Sequence, residues 1–227
     1  MTDDLRSALL QAILPHVPFD GWSDAAFAAA AADAGLGPDL ARALCPRGAL
    51  DLAMDYHREG DATMAQRLLA ANLGGMRYRD RIATAVRFRL EAADRELVRR
   101  GTALMALPQH APEGTKALWA TADAIWTALG DTSDDMNWYS KRAILSAVYS
   151  STLLYWLGDQ SSGQQATWEF LDRRIENVMA FEKLKASVKA NPVLNGLMAG
   201  PNWLMARVKA PTRFNPADMP GFRARKG

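Results

Sequence analysis

Apolar residues recur at helical spacing along this chain, and no stretch alternates apolar and polar residues for long. Alanine is abundant, and β-branched residues are sparse. A half-buried strand requires alternation whereas an amphipathic helix requires a period near 3.6 residues, so the pattern predicts an all-α fold. The 227 residues are 49% hydrophobic and 23% charged, a composition typical of globular domains. We expect about nine to ten helices.

Prolines and glycines divide the first 72 residues into short segments. The sequence predicts helices over residues 2–14, 23–34, 38–44 and 48–72, the last interrupted at Gly60-Asp61. Ser23 is suited to cap the second of these helices, and Pro38 is suited to open the third. A short helix that follows a tight turn and precedes a long helix is typical of helix-turn-helix DNA-binding heads. Residues 1–72 are therefore interpreted as a helix-turn-helix-like head.

Longer helical segments follow and predict a helical body over residues 73–190. They cover residues 76–100, 116–129, 134–157 and 164–189. The first of these helices is predicted to end before Gly101, and Pro108 and Pro112 bracket a predicted loop. The second carries Trp119 and Trp126 seven residues apart, a spacing that places both on one side of the helix and favours packing in the core.

The C-terminal part of the chain combines an apolar stripe with positive charge. The whole chain has a net charge of +2, yet residues 183–227 alone hold nine bases and one acid. A helix within residues 191–211 is predicted to bind membrane and lipid through Leu194, Leu197, Met198, Leu204, Met205 and Val208, with Trp203 as an interfacial anchor. A basic amphipathic helix is typical of association with a membrane surface, and Pro201 is expected to kink it. Residues 212–227 lack periodicity and are expected to be disordered.

The beginning of the chain and its single cysteine predict a compartment. Asp3 and Asp4 stand where a secretory or mitochondrial leader carries bases. Cys45 excludes an intrachain disulfide and is typical of a reducing environment. No apolar run reaches the roughly 18 residues of a membrane span. We expect a cytoplasmic protein that associates peripherally with the inner (cytoplasmic) membrane.

Patterns that carry catalysis or bind metal are not found in the sequence. The three histidines are far apart, and none lies at the spacing of a metal site. The acidic run from Asp131 is similar to a calcium loop, but Met136 and Arg142 stand where such a loop needs glycine and glutamate. Cys45, next to a proline, is expected to be a small buried residue. We therefore expect no catalytic residues, no metal and no cofactor.

Residues 130–142 join a predicted helix stop to a predicted helix start. Ser133 or Asp134 is predicted to cap the new helix. Trp138 and Tyr139 follow at once, where the helix has only begun to bury a face. Either the two aromatic side chains pack on a neighbouring helix, or they are partly exposed beside an arginine, which is the composition of protein–protein hot spots.

The same segment carries a specific family likeness. Its pattern, Gly-Asp-Thr-Ser-x-Asp-x-Asn-Trp-Tyr-x-Lys-Arg, resembles a signature of the ubiquinone-biosynthesis accessory proteins of the Coq-nine family. Further matching pieces are residues 21–23, 168–175 and 181–185. The likeness covers most of residues 10–210.

The resemblance implies a TetR-regulator-like helical fold that no longer binds DNA. It implies a homodimer that binds isoprenoid or quinone lipids in an apolar pocket, which makes residues 73–190 a lipid-binding body, and that touches the phospholipid surface through its C-terminal helix. It also implies that the protein presents lipid intermediates to the di-iron hydroxylase of the ubiquinone pathway. By matching positions, it assigns the contact with the hydroxylase to Asp135, Trp138 and Tyr139, with Asn137 and Arg142 in the same motif.

The alternative is a TetR-type transcriptional regulator that binds DNA and a small hydrophobic ligand. The candidate recognition helix, residues 38–44, argues against it. This helix offers only Arg42 to bases and phosphates, and Asp39 repels phosphate. We expect no binding of nucleic acid.

Overall fold

The computed structural model describes the backbone of residues 2–190 and the side chains of residues 2–180. Over this range the chain folds into ten α-helices. They are α1 (Thr2–Ile13), α2 (Val17–Asp20), α3 (Asp24–Asp33), α4 (Pro38–Leu44), α5 (Ala49–Ala70), α6 (Tyr78–Glu91), α7 (Arg95–Met105), α8 (Ala111–Ala128), α9 (Met136–Gly158) and α10 (Gln165–Ala190). Short 3₁₀ turns at Pro108–His110 and Ser162–Gln164 precede α8 and α10. The predicted all-α fold class is confirmed.

Two parts of the prediction lie outside this range. The membrane-binding helix within residues 191–211, with all seven of its named lipid-binding side chains, falls beyond the described residues, as does the tail 212–227. Among the described helices, none is long and apolar enough to cross a bilayer.

Capping residues explain where the helices begin. The Ser23 hydroxyl accepts a hydrogen bond from the Ala26 N–H at 3.1 Å and caps α3, as predicted, and Pro38 opens α4. The prediction that Ser133 or Asp134 caps α9 was wrong. The cap is Asp135, whose carboxylate accepts the Asn137 N–H at 2.8 Å.

The single helix predicted over residues 76–100 is two helices. α6 ends at Glu91, and Asp94 accepts hydrogen bonds from the N–H groups of Glu96 and Leu97 at 2.8 and 3.0 Å. A side chain that satisfies two N–H groups of a first turn starts a new helix there. The predicted end before Gly101 was also wrong, because α7 continues through this residue to Met105.

Two further boundaries differ from prediction for local reasons. α5 continues through Gly60 without interruption. A glycine is needed at this position because the Arg89 guanidinium lies close to the backbone, and a Cβ atom there would be 2.7 Å from it. Pro108 and Pro112 do not bracket a loop. Pro108 opens a 3₁₀ turn, and Pro112 lies in the first turn of α8, where no N–H is needed for the helix.

Two apolar clusters form the core, and α5 contributes to both. The first joins α1, α3, α4 and the beginning of α5, where Leu52 is buried, and it includes the buried Cys45. The second joins the end of α5, where Met64 is buried, to α6, α8, α9 and α10. The indole N–H of Trp22 donates to the Leu97 carbonyl at 3.2 Å and fixes α7 against the first cluster. The continuous helix α5 thus connects the two clusters.

Candidate functional site: an aromatic patch and an apolar cavity on α8 and α9

The two aromatic side chains at the start of α9 belong to a group of three. Trp138 and Tyr139 meet edge to face, with ring centroids 4.8 Å apart. Trp119 of α8 packs against both, at 5.9 and 6.4 Å. All three are partly exposed, and we call them the aromatic patch. The prediction of a core position is therefore confirmed for Trp126, which is buried, but not for Trp119.

Arg142 lies beneath the aromatic patch, and its side chain is completely buried. Its guanidinium carbon is 3.9 Å from the centroid of the Trp138 ring. Its Nε donates to the Asp123 carboxylate at 2.5 Å, and its Nη1 donates at 3.2 Å both to the Asp131 carboxylate and to the Trp138 carbonyl oxygen. Arg142 thus joins α8, the α8–α9 turn and the first turn of α9. It positions Trp138 and is not itself presented at the surface.

The turn below the patch is fixed by backbone geometry and by charge. Gly130 has a φ of +77°, and the Asp131 N–H donates to a carbonyl of the last turn of α8 at 2.9 Å, which closes that helix. Burial of the Asp131 carboxyl raises its pKa, but hydrogen bonds from Lys141, Ser133 and Arg142 outweigh burial and lower the pKa to about 2. The carboxylate is therefore charged at neutral pH and holds the base of the patch.

Asp135 and Asn137, the other two residues of the motif, lie at the rim of the aromatic patch. Asp135 and Asn137 are both exposed, and the Asn137 side-chain amide donates to the Asp135 carboxylate at 3.0 Å. The structure thus brings together all five residues that the sequence assigned to the partner contact. Four of them reach the surface, and Arg142 supports them from below.

A cavity of about 360 Å³ lies between α5, α6, α7, α8 and α9. Most of its wall is apolar and includes Leu90, Leu97, Val98, Leu118, Leu153 and Leu154. Its volume falls within the range of small-molecule sites, roughly 300–1,000 Å³. Leu154 is 62% exposed and marks the mouth, whereas Tyr149 is 1% exposed and marks the closed end.

Polar side chains meet at this closed end and bind one another. Arg89 and Asp61, both buried, form an ion pair at 2.6 Å, and Arg89 Nη2 also donates to the His57 carbonyl oxygen at 3.1 Å. The Thr121 hydroxyl donates to Asp61 at 2.9 Å and lies 2.8 Å from His57 Nε2. We call these four residues the buried polar network; burial without partners would make each of them costly.

The network determines the protonation of His57. Its Nδ1 lies 3.2 Å from Arg89 Nη2, which can only donate, so Nδ1 accepts and the proton of the neutral ring is on Nε2. Burial lowers the pKa of His57, and the positive charge of Arg89 lowers it further. His57 is therefore neutral at neutral pH, and the closed end of the cavity carries no net charge.

A second groove of about 340 Å³ runs between α6, α8, α9 and α10. Ile144, Val148, Ile175 and Val178 form its apolar wall, and Asn137 of the motif lies at its edge. The motif is thus flanked by the aromatic patch on one side and by this groove on the other.

The aromatic patch and the cavity share two helices. On α8, Leu118 lines the cavity and the next residue, Trp119, belongs to the patch. On α9, Tyr149 follows Tyr139 by ten residues, or roughly 15 Å at 1.5 Å per residue. A partner that contacts the patch therefore touches the helices that enclose the cavity.

The resemblance implied an apolar lipid pocket in the helical body, but nothing in the sequence indicated which residues form its wall or its polar end. The histidines lack the spacing of a metal site, and the named lipid-binding residues all lie in the C-terminal segment. One signal was available: His57 and Asp61 are four residues apart and therefore share a helix face. Arg89 and Thr121 come from two other helices, and only the tertiary structure brings them together.

Known proteins share both the helices of the site and the fold. The model of the COQ9 family matches residues 111–182, which include α8, α9 and much of α10. The chain is 31% identical over 188 residues to the ubiquinone biosynthesis protein COQ9, mitochondrial, of Drosophila melanogaster, and 30% identical over 207 residues to that of Rattus norvegicus. The chain is a homologue of the COQ9 proteins.

The COQ9 proteins of these animals are longer than this homologue. The two alignments cover 80% and 86% of this chain but only 57% and 66% of the fly and rat proteins. The Homo sapiens COQ9 protein is 28% identical, with 86% of this chain and 65% of the human protein covered. The chain thus spans less than two thirds of the length of these COQ9 relatives.

A TetR transcriptional regulator from Nitrosomonas europaea ATCC 19718 has the same fold as this COQ9 homologue. The two structures superpose with a TM-score of 0.62, which covers 76% of this chain and 97% of the regulator, at 17% sequence identity. At this identity the likeness concerns the fold alone. The predicted TetR-like fold is confirmed.

Proposed function

We propose that this chain is a non-enzymatic accessory protein of ubiquinone biosynthesis. It holds an isoprenoid or quinone intermediate in the cavity and docks through the aromatic patch on the di-iron hydroxylase of the pathway. The observation that carries the proposal is the shared framework: α8 and α9 enclose the cavity, and the same helices expose the patch. The ubiquinone pathway is proposed because the COQ9 relatives are named for it.

The chemistry of the cavity supports a lipid-like ligand. Its wall is mostly apolar, with a small number of polar groups, which is the usual design of small-molecule sites. An engineered apolar cavity of about 150 Å³ holds benzene. A cavity of about 360 Å³ therefore accommodates a substituted ring with the first part of an apolar chain.

The aromatic patch supports a protein partner. Tryptophan, tyrosine and arginine are enriched at hot spots, and tryptophan and tyrosine bury large areas at a small cost in conformational entropy. Here Trp138 and Tyr139 are partly exposed, whereas the residues that hold them, Arg142 and Asp131, are buried. Such preorganisation reduces the cost of binding. Asp135 supplies a negative charge at the rim.

The head favours this proposal over a DNA-binding regulator. Arg42 is the one base of the candidate recognition helix α4, and it is already engaged: it lies 3.3 Å from Asp24 and stacks on Phe27 at 5.1 Å. Asp24 and Asp39 are exposed nearby. Neutralisation of phosphates by basic side chains dominates affinity for DNA. The exposed carboxylates of this surface would instead repel the phosphates.

The first experiment identifies the bound molecule. We expect mass spectrometry of an organic extract of the purified full-length chain to detect a quinone-like or prenyl lipid at close to one equivalent. Water inside an apolar cavity lacks hydrogen-bond partners, so a bound lipid is not readily replaced by water. The lipid should therefore remain bound through purification. An extract without any prenyl or quinone lipid would contradict the proposal.

In parallel, we propose that residues 193–227 supply membrane affinity, and their deletion is expected to weaken binding to anionic liposomes.

The second experiment tests docking. We expect the double variant Trp138→Ala/Tyr139→Ala to lose binding to the hydroxylase by more than about 100-fold, because each removed aromatic is a hot-spot side chain. The variant remains folded, with its free energy of unfolding lowered by about 1–3 kcal/mol. Surface plasmon resonance gives the affinity, and circular dichroism with urea gives the stability.

A matched control removes apolar surface elsewhere. Phe19 and Leu69 are 84% and 78% exposed and lie outside the patch, so Phe19→Ala/Leu69→Ala is expected to bind the hydroxylase like the wild type. If the patch variant unfolds, its aromatic residues are core residues. If it stays folded and binds unchanged, the partner docks elsewhere.

A further inference from the structure

Tyr149 places a hydroxyl group at the closed end of the cavity. The residue is 1% exposed and belongs to the cavity wall. No hydrogen bond links its hydroxyl group to any described residue. Buried hydroxyl groups normally have a partner. The arrangement points to a partner supplied by the ligand.

The state of this hydroxyl group fixes the kind of partner. Burial raises the pKa of Tyr149, so the group stays protonated and can donate. The residues near it are engaged with one another: Arg89 is paired with Asp61, and His57 is bonded to Thr121. The group still needed at this end is therefore an acceptor oxygen for the Tyr149 hydroxyl, and not a further donor from the protein.

Charge narrows the ligand further. The positive charge of Arg89 is balanced by Asp61, and His57 is neutral. A carboxylate or phosphate at this end would be desolvated without a counter-charge of its own, which is costly. A neutral oxygen, such as the carbonyl of a ring, meets no such cost.

The shape of the cavity gives the ligand a direction. The end at Tyr149 is closed, whereas the mouth is marked by exposed lining residues that include Leu154, Ala111 and Thr115, of which two are apolar. For a molecule with a polar ring and an apolar chain, this favours the orientation with the ring innermost and the chain towards the mouth. In this orientation the ring is shielded from solvent until the ligand leaves.

We propose that the cavity binds its ligand ring first, and that the Tyr149 hydroxyl donates a hydrogen bond to a neutral acceptor oxygen on that ring, of the quinone or alkoxy-ketone class. The inference rests on the proposed lipid-binding function and adds the ligand's polar group, its orientation and the residue that recognises it.

The experiment compares three probes on delipidated full-length protein. The probes are a benzoquinone with a short prenyl chain, the prenyl hydrocarbon of the same length without a ring, and a fatty acid of similar length. We expect Tyr149→Phe to weaken binding of the quinone by roughly threefold to tenfold, the range for one neutral hydrogen bond, and to leave binding of the hydrocarbon unchanged. Tyr155→Phe is the matched control and leaves the quinone affinity unchanged, because Tyr155 is 39% exposed, stacks on Phe170 and lies outside the cavity wall.

Infrared spectroscopy supplies a readout that a purely structural role would not change. The carbonyl stretch of bound quinone is expected at lower frequency in the wild type than in Tyr149→Phe, because a hydrogen bond weakens the C=O bond. If the wild type binds quinone but Tyr149→Phe alters neither affinity nor carbonyl frequency, this inference is wrong and the proposed function stands. Tighter, Tyr149-dependent binding of the fatty acid also overturns it. If the wild type binds none of the probes, the inference and the proposed function fail together.

Discussion

Arg142→Met is expected to lower the free energy of unfolding by about 2–4 kcal/mol. Removing one partner of a buried ion pair usually costs about 3–5 kcal/mol. We reduce the figure here, because Asp123 is 45% exposed and Asp131 keeps its bond to Lys141 at 2.7 Å. Urea unfolding of wild type and variant gives the difference. Because the Trp138 ring loses the guanidinium beneath it, the affinity for the hydroxylase is expected to fall as well.

The loss of unfolding free energy in Arg142→Met is expected to depend on pH. In the wild type the pKa of Asp131 is lowered to about 2, so its stabilisation is complete above about pH 4 and is lost as the pH falls towards 2. Without Arg142 the carboxylate loses one of its donors and its pKa rises, so less stability remains to be lost. The gap between wild type and variant should therefore narrow below about pH 4.

The control for Arg142 is an exposed arginine. Arg77 is 72% exposed and pairs with Asp80 at 2.8 Å, and exposed pairs contribute less than about 1 kcal/mol. Arg77→Met should therefore have a small effect. A similarly small effect of Arg142→Met would show that the buried network does not hold the α8–α9 turn.

Local signals in the sequence predicted the helices well, whereas tertiary partners decided the exceptions. Ser23 and Pro38 mark helix starts because their effect is confined to a single turn. Gly60 was wrongly predicted to interrupt α5. A glycine is needed there because the side chain of Arg89, which is distant in sequence, passes against the backbone of α5. Asp94 was read as part of one long helix, because an acid at a cap and an acid on an exposed face look alike in sequence.

The site was predictable only in part for the same reason. The resemblance selected the motif around Trp138, and the structure brings its residues together. It could not tell that Arg142 is buried, since that follows from carboxylates 19 and 11 residues away. Tyr149 gives no signal at all in sequence, because one more aromatic residue in a helix looks like core.

The second large effect is expected at the closed end of the cavity. Arg89→Met should lower the free energy of unfolding by about 3–5 kcal/mol, because the buried carboxylate of Asp61 loses its counter-charge and the His57 carbonyl loses a donor. Methionine is apolar and unbranched, so it follows the path of the arginine stem past Gly60. Urea unfolding measures the loss. The double variant Arg89→Met/Asp61→Asn removes both charges and should be more stable than the sum of the two single losses predicts, by about 0.5–3 kcal/mol.

His57 gives this second prediction its own dependence on pH. In the wild type, burial and then Arg89 hold the pKa of His57 below its ordinary value, so stability is complete above about pH 6.5 and declines as the pH falls. In Arg89→Met the repelling charge is gone and Asp61, 3.6 Å from the ring, is unpaired. The pKa of His57 therefore rises, and protonation creates a new ion pair that replaces the lost one. The stability deficit of the variant should shrink from about pH 8 to about pH 5.5. A deficit that stays constant, with His57 titrating by NMR as in the wild type, would show that Arg89 does not control the charge at the closed end of the cavity.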